Sequence, residues 1–273
     1  MIIGKKKQII LFVTYNHHFN TNTDDLGFMM YCSYGKGYRL TNLIESSESL
    51  STRFSSNVGT IRSGDCAGLW EEYLVIIDNM MNLEMLLWAS KNGGEQKFYQ
   101  IAKEHSQHTI EYHYRKDFSW FYVGDYESKS GAPLDKGTFQ RASNESSWAR
   151  VQVCGLYGLS MLYSETKDVE FLKQANSVVG YINSELAQNL ISCWDFSLKK
   201  NLNEEKEAFA VAIFTSALVE LYKQIGKSEY LENAKRIEFK LSESEYFDTK
   251  GEISGFLLKH IVANKPFEYQ CLT

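Results

Sequence analysis

The chain has almost no proline. Of its 273 residues only Pro133 and Pro266 are proline, and no Gly/Ser-rich or charge-rich tract separates one half from the other, so nothing marks a linker and a single domain is the expectation. Cysteine is present but unpatterned. Cys32, Cys66, Cys154, Cys193 and Cys271 are odd in number, widely spaced and without a CxxC pair, which suggests neither a disulfide framework nor a zinc site and leaves free buried thiols. Positive charge is not in excess either: the net charge of −5 gives no basic footprint for nucleic acid, and the one basic run, Lys5 to Lys7, is too short to change that. The IILFV that follows it falls short of the roughly 7–15 residues of a signal-peptide core, and no small-residue cleavage site comes after. No export signal is read, so the cytoplasm is the expected compartment. No uninterrupted apolar stretch approaches the roughly 20 residues that cross a bilayer, and no membrane partner is expected.

What the chain does have is helical periodicity interrupted by misplaced acids. Val75 to Lys91 reads VIIDNMMNLEMLLWASK, an apolar run with one aspartate at its head. Burying a carboxylate without a partner costs several kcal/mol or forces its pKa upward. Asp78 is therefore either a helix cap, accepting from the N–H of Met80 or Met81, or a catalyst. The arrangement repeats at Asp24 and Asp25, which stand before the run LGFMMYCSYGKGYRL. Two carboxylates at two converging helix starts can have separated pKa values, so that one donates a proton while the other stays charged; the alternative is two unrelated caps.

Apolar residues recur at i, i+3, i+4 and i+7 in Leu26 to Leu40, Asn79 to Trp88, Phe98 to Tyr112, Ser147 to Leu162, Phe171 to Ile182, Ala208 to Tyr222 and Tyr230 to Phe239. A motif recurs among them: GEQKFYQIA ending at Ala102, KDVEFLKQA ending at Ala175 and GKSEYLENA ending at Ala234. Each copy follows an apolar helix and opens a more polar one. The spacing is longer than the ~33–34 residues of tetratricopeptide or ankyrin arrays and is irregular, which fits a closed ring of helical hairpins better than an open solenoid. Phe118 to Lys136 and Cys193 to Leu202 then read as long functional loops at one rim.

Taken together, DLGFMMYCSYGKGYRLT (Asp25 to Thr41), LSTRFSSNVGTIRS (Leu50 to Ser63), Val75 to Lys91, Ser147 to Lys167 and GFLLKHIVANKP (Gly255 to Pro266) resemble glycoside hydrolase family 88, the unsaturated glucuronyl hydrolases. The resemblance implies an all-α fold, an (α/α)6 barrel of helical hairpins, and a reaction on an unsaturated uronic-acid-containing oligosaccharide. In it, an aspartate protonates C4 of the C4=C5 double bond left by a polysaccharide lyase and activates water for attack at C5. By motif match that aspartate is Asp78. Asp25 matches the second family aspartate, which holds the substrate and keeps Asp78 protonated by like-charge proximity. Gln140 in GTFQ, with Trp148 and Arg150 in SSWARVQ, match family substrate contacts, and Tyr122 stands where the family has a histidine. An indole offers a flat face to a sugar ring, and arginine and glutamine offer donors to hydroxyls and a uronate; the alternative for Trp148 is a core aromatic. Neither a cofactor nor a metal is implied.

Departures cluster around the same positions. Gly64 and Cys154 stand where the family has tryptophans, Phe139 and Arg141 flank Gln140 where it has histidine and glycine, and Asp24 replaces another histidine. Each lost aromatic platform lowers the expected affinity by about 1 kcal/mol. Tyr122 removes a ring that titrates near neutral pH. Residues 1–19 are unlike the family and 20–273 read as a partial barrel, cut at both ends, with room for only a helix end and a turn between Tyr38 and Arg53. Uncovered helix faces would favour self-association. An inactive diverged fragment with a binding role therefore stands as an alternative to the hydrolase, as does the sister activity on unsaturated rhamnogalacturonyl units. His105 and His108, at i, i+3 spacing, could present two imidazoles to a metal but have no third ligand at matching spacing, and with His113 they are expected to be solvated rather than metal-bound. Asp195 matches a family loop residue, which a turn-capping role explains equally well.

Overall fold

The computed structural model describes residues 20–31, 40–63, 73–137, 143, 145–186, 190–198, 206–243, 246–248 and 256–257. Gln140, its neighbours Phe139 and Arg141, Gly64, Cys32, Cys66, Cys271 and residues 1–19 lie outside them.

The chain divides into two compact units, one formed by residues up to Tyr112 together with Gly124–Asp135, the other by His113–Val123 and most of the chain from Lys136 onward. In the first, a π-helical turn, Gly27–Tyr31, leads to α1, Leu40–Ser51; α2, Asn79–Lys91, and α3, Gln96–His113, follow as a hairpin. The second holds two further hairpins, α4 (Ala149–Thr166) with α5 (Val169–Glu185) and α6 (Ala208–Ile225) with α7 (Ser228–Leu241). The recurring motif opens α3, α5 and α7, the outer helix of each pair. The six helices expected from Asn79 onward are present, and the class expected, all-α helical hairpins, is the class observed.

Inner and outer helices differ as the pattern demands. Along α2 nearly every side chain from Asn79 to Ala89 is buried, the signature of a helix enclosed on all sides. α7, by contrast, buries only Tyr230, Ala234, Ile237 and Leu241, a single stripe at helical spacing. α6 is long and apolar enough, by length and composition, to cross a membrane; its Val211, Phe214, Leu218 and Leu221 are buried in the second unit, where it packs on α4 and α7. The turn between α6 and α7 is set by Gly226, whose φ of 69° closes the helix with its N–H on the Tyr222 carbonyl (2.8 Å). α5 starts where Asp168 accepts from the Glu170 N–H at 3.0 Å.

Two expectations are corrected. Between Tyr38 and Arg53 there is a helix of 12 residues, not a helix end and a turn. Its serines mask it: Ser46, Ser47 and Ser49 donate their hydroxyls to the carbonyls of Asn42, Leu43 and Glu45 at 2.7, 2.8 and 3.0 Å, so these polar residues satisfy themselves inside a buried face shared with Leu43 and Leu50. The segment from Phe118 to Lys136 is not a plain loop. It carries β4 (Val123–Tyr126) and most of β5 (Pro133–Gly137), which form a three-stranded sheet with β3 (Tyr73–Ile76) in the order β3-β4-β5. Within the first unit Val58, Tyr73, Val75 and Tyr126 pack beside this sheet with Tyr112. Antiparallel pairs β1 (Phe54–Ser55) with β2 (Thr60–Ile61) and β6 (Phe247–Asp248) with β7 (Phe256–Leu257) complete the described strands.

Candidate active site

β3 delivers the chain into α2 through a turn at Ile77 and Asp78. Asp78 occupies the N-cap position, but its backbone is already helical (φ −62°, ψ −25°) and its side chain makes no capping hydrogen bond. The N–H groups of Met80 and Met81, which a capping carboxylate would take, are bonded to the carbonyls of Ile77 (3.0 Å) and Asp78 (2.9 Å). The cap reading of Asp78 is thus overturned. A side-chain cap needs an extended residue that can swing back over the first turn.

Asp25 stands two residues before the π-helical turn. Its N–H donates to the Thr23 hydroxyl (3.1 Å), and its carbonyl accepts from Met29 (2.9 Å). Arg53 fastens this segment through donation from Nη1 to the Thr21 carbonyl (2.7 Å) and from Nε to the Arg62 carbonyl (2.9 Å). Gly27 permits the turn to lie against α2: a Cβ there would meet Cα and Oδ1 of Asn82, each at 2.6 Å. Asn82 Oδ1 in turn accepts from the Phe28 N–H at 2.9 Å. Two segments distant in the chain are joined at a contact only glycine allows.

The consequence is electrostatic. The Asp25 carboxyl is pushed above its ordinary value, first by burial and then by the carboxylate of Asp78, against a hydrogen bond from the Asn82 side chain that acts in the opposite direction. The group that offsets the burial of Asp25 is a neutral amide. Two acids close enough to feel each other titrate as a pair, and such a pair holds a proton into the range where an unperturbed aspartate has lost it.

In the second unit a different cluster forms. Trp148 stands at the N-cap position of α4 and is 1 % exposed. The Arg150 guanidinium lies over its indole at 4.8 Å, and the buried ring of Tyr122 meets it edge-on at 5.1 Å and 84°. Arg150 Nη2 lies 3.3 and 3.4 Å from the two oxygens of Glu207, a wholly buried carboxylate at the head of α6 that does not cap its own helix. A cation in the first turn of a helix sits unfavourably in the helix dipole, and Glu207 compensates for that position. Of this cluster Arg150 is the member that reaches solvent, its side chain 17 % exposed. Gln152 braces it from below, accepting from the Trp120 N–H at 2.7 Å and donating to the Trp120 and Trp148 carbonyls.

Asp195 is buried and holds its turn, Oδ1 accepting from the N–H groups of Ser147 (3.2 Å) and Ser197 (3.0 Å) and from the Ser197 hydroxyl. Cys154 and Cys193 are buried and form no disulfide. The expectation of three solvated histidines holds only for His108. His105 and His113 are wholly buried because they continue the stripe Phe98, Ala102, Thr109 along the inward face of α3. His105 Nδ1 accepts from the Ile61 N–H at 3.0 Å. Burial brings the His113 pKa down to about 4, although its Nδ1 lies 3.2 Å from the Phe121 carbonyl. Among the described residues no group of three or more His, Cys, Asp or Glu is arranged to hold a metal.

Asn82 and Glu207 are the residues that the sequence reading passes over. Both carried a signal. Asn82 is a polar residue one helical turn after Asp78 in an otherwise apolar run, and Glu207 is an acid directly before AFAVAIF, the same mark that singles out Asp78.

No family model matches the chain. An unsaturated glucuronyl hydrolase of Formosa agariphila is 36% identical over 259 residues, covering 90% of this chain and 64% of that protein. An unsaturated chondroitin disaccharide hydrolase of Streptococcus agalactiae is 27% identical over 77% of this chain and 54% of its own length. Among solved structures, an unsaturated glucuronyl hydrolase specific for heparin is 38% identical and superposes with a TM-score of 0.84 over 91% of this chain and 69% of that one. The chain thus spans between about half and two thirds of the length of these curated relatives.

Proposed function

The chain belongs to the unsaturated glucuronyl hydrolases, glycoside hydrolase family 88, and from that premise we propose that it hydrates the C4=C5 double bond of an unsaturated uronic acid at the end of a lyase-generated disaccharide. The observation that supports this reading is the pair Asp25 and Asp78: burial, and then the carboxylate of Asp78, raise the Asp25 pKa.

In the proposed reaction the Asp78 carboxyl gives its proton to C4, and positive charge develops at C5, where the ring oxygen shares it. Asp78, now ionised, takes a proton from the water that attacks C5. The hemiketal at C5 then opens: the C5–O5 bond breaks to leave a ketone at C5, and the hemiacetal so formed at C1 releases the partner sugar. One water enters, and no other reactant is required. Asp25 keeps a second negative charge beside Asp78, which favours the protonated acid before the step and stabilises the positive charge that follows it. Arg150, supported by Glu207, is the proposed donor to the uronate carboxylate.

The test is the ultraviolet absorbance of unsaturated disaccharides incubated with the purified chain, beside an Asp78→Asn control. Both heparin-derived and chondroitin-derived substrates belong in it, since the relatives above are named for one or the other. Decay of the conjugated double bond with the unsubstituted chain and not with the Asp78→Asn variant is the expected result. No decay from a cooperatively folded chain would sink the hydrolase reading.

A further inference from the structure

We propose that Phe209, a half-exposed phenyl in the first turn of α6, is the aromatic surface against which the uronate ring of the substrate lies while Arg150 holds its carboxylate. The inference rests on the role proposed above for Arg150 and goes further by adding a substrate-contacting residue beside it.

The sequence offers Trp148 for that task, and the structure withdraws it. Trp148 is buried, with the Arg150 guanidinium over its indole at 4.8 Å and the ring of Tyr122 edge-on to it at 5.1 Å. A stacking platform needs a ring that a sugar can reach. Tyr122 is wholly buried, and Cys154, where the family has another tryptophan, is buried one turn beyond Arg150 and has no ring to offer. Phe209 differs in being accessible. It is 43 % exposed, between the wholly buried Ala208 and Ala210, and the Arg150 guanidinium lies over its ring at 5.5 Å. Arg150 thus borders two rings, a covered indole and an accessible phenyl.

Single exposed apolar side chains are ordinary on a protein surface. Phe209 is not an isolated one: it borders a partly exposed cation, and the two are held together from both sides. α4 packs on α6, and Glu207, two residues before Phe209, lies 3.3 Å from Arg150 Nη2. The chemistry selects the ring. The carboxyl carbon of a uronate is bonded directly to C5, so a carboxylate on Arg150 brings its own ring, rather than the partner sugar, next to the guanidinium and hence to Phe209. The charge then meets the cation, and the apolar C–H and C=C surface of the same ring meets the phenyl.

The experiment is a 1H NMR titration of unsaturated chondroitin and heparin disaccharides with the Asp78→Asn chain, so that turnover does not consume the ligand. The proton on C4 of the double bond reports the uronate ring alone. The expected result is that this resonance moves upfield on binding, by the ring current of Phe209. Phe209→Leu keeps an apolar side chain but loses the upfield shift, Phe209→Tyr keeps it, and Phe209→Ala loses it and weakens binding about fivefold. The proposal is overturned if the shift and the affinity are unchanged in Phe209→Ala, if only protons of the partner sugar move, or if the chain binds neither disaccharide. Should Phe209→Ala fail to fold, the shift in Phe209→Leu decides. Phe209-dependent binding by a chain that hydrates no disaccharide would remove the proposed function and leave this assignment standing; hydration with an unmoved KM in Phe209→Ala would do the reverse.

Discussion

In the first unit burial and the carboxylate of Asp78 both raise the pKa of Asp25, and a hydrogen bond from the neutral amide of Asn82 acts against them. In the second unit a carboxylate, Glu207, is buried completely, and it faces the guanidinium of Arg150 at 3.3 Å. Both units place an acid at the head of an apolar inner helix. They differ in what stands opposite it, and that decides the chemistry. An acid beside another acid has a raised pKa and can hold a proton for transfer. An acid beside a cation stays charged, and what it supplies is a fixed position for that cation.

The comparison breaks most visibly at Asp78. Asp78→Asn is expected to lower hydration by about 10²–10⁴-fold, with the melting temperature unchanged or slightly higher, because a carboxylate that caps no helix is being removed. Loss of activity together with loss of fold would show Asp78 to be structural. Glu207→Ala should do the reverse in stability, costing roughly 2–4 kcal/mol by leaving Arg150 without its counter-charge. Denaturant unfolding reads this directly, and the double variant with Arg150→Ala should recover part of the loss.

Acid pH sharpens the contrast between buried groups. The folded pKa of His113, about 4, lies below its ordinary 6.5, so the stability it contributes is present above pH 6.5 and is lost as pH falls from there toward 4. The loss is on the order of 3 kcal/mol, and melting curves across that window should flatten in His113→Gln. Asp25 runs the other way and gives the smallest effect. Its folded pKa lies above the ordinary 3.8, so its contribution is present below that pH and disappears as pH rises through the folded value. Asp25→Asn should therefore raise the melting temperature slightly at neutral pH and leave it unchanged under strongly acidic conditions; equal effects at both would contradict a raised pKa.

How much of this was legible in the sequence depended on whether residues signal by their own chemistry or through partners. The hairpins α2–α3, α4–α5 and α6–α7 are readable because apolar spacing and a repeated motif report burial locally. α1 is not, because its serines find their acceptors one turn back within the helix and so look like turn residues. His105 and His113 mislead for the same reason, as polar residues in a buried stripe. Asp25 and Asp78 stand out as acids beside apolar runs, but their coupling depends on Gly27 admitting Asn82, a contact between segments far apart in the chain. Trp148 and Arg150 match a pattern, yet only the fold shows that the guanidinium covers the indole and that Glu207 holds it there.

The most direct test of the account is to run the reaction in deuterium oxide and read the product by NMR. Proton transfer from Asp78 predicts one deuterium at C4, delivered to a single face, with the double bond lost as the partner sugar is released, and none of this with Asp78→Asn. Release of the partner sugar with the C4=C5 bond intact and C4 unlabelled would mean ordinary cleavage at C1, and would contradict the assignment of the acid pair to hydration.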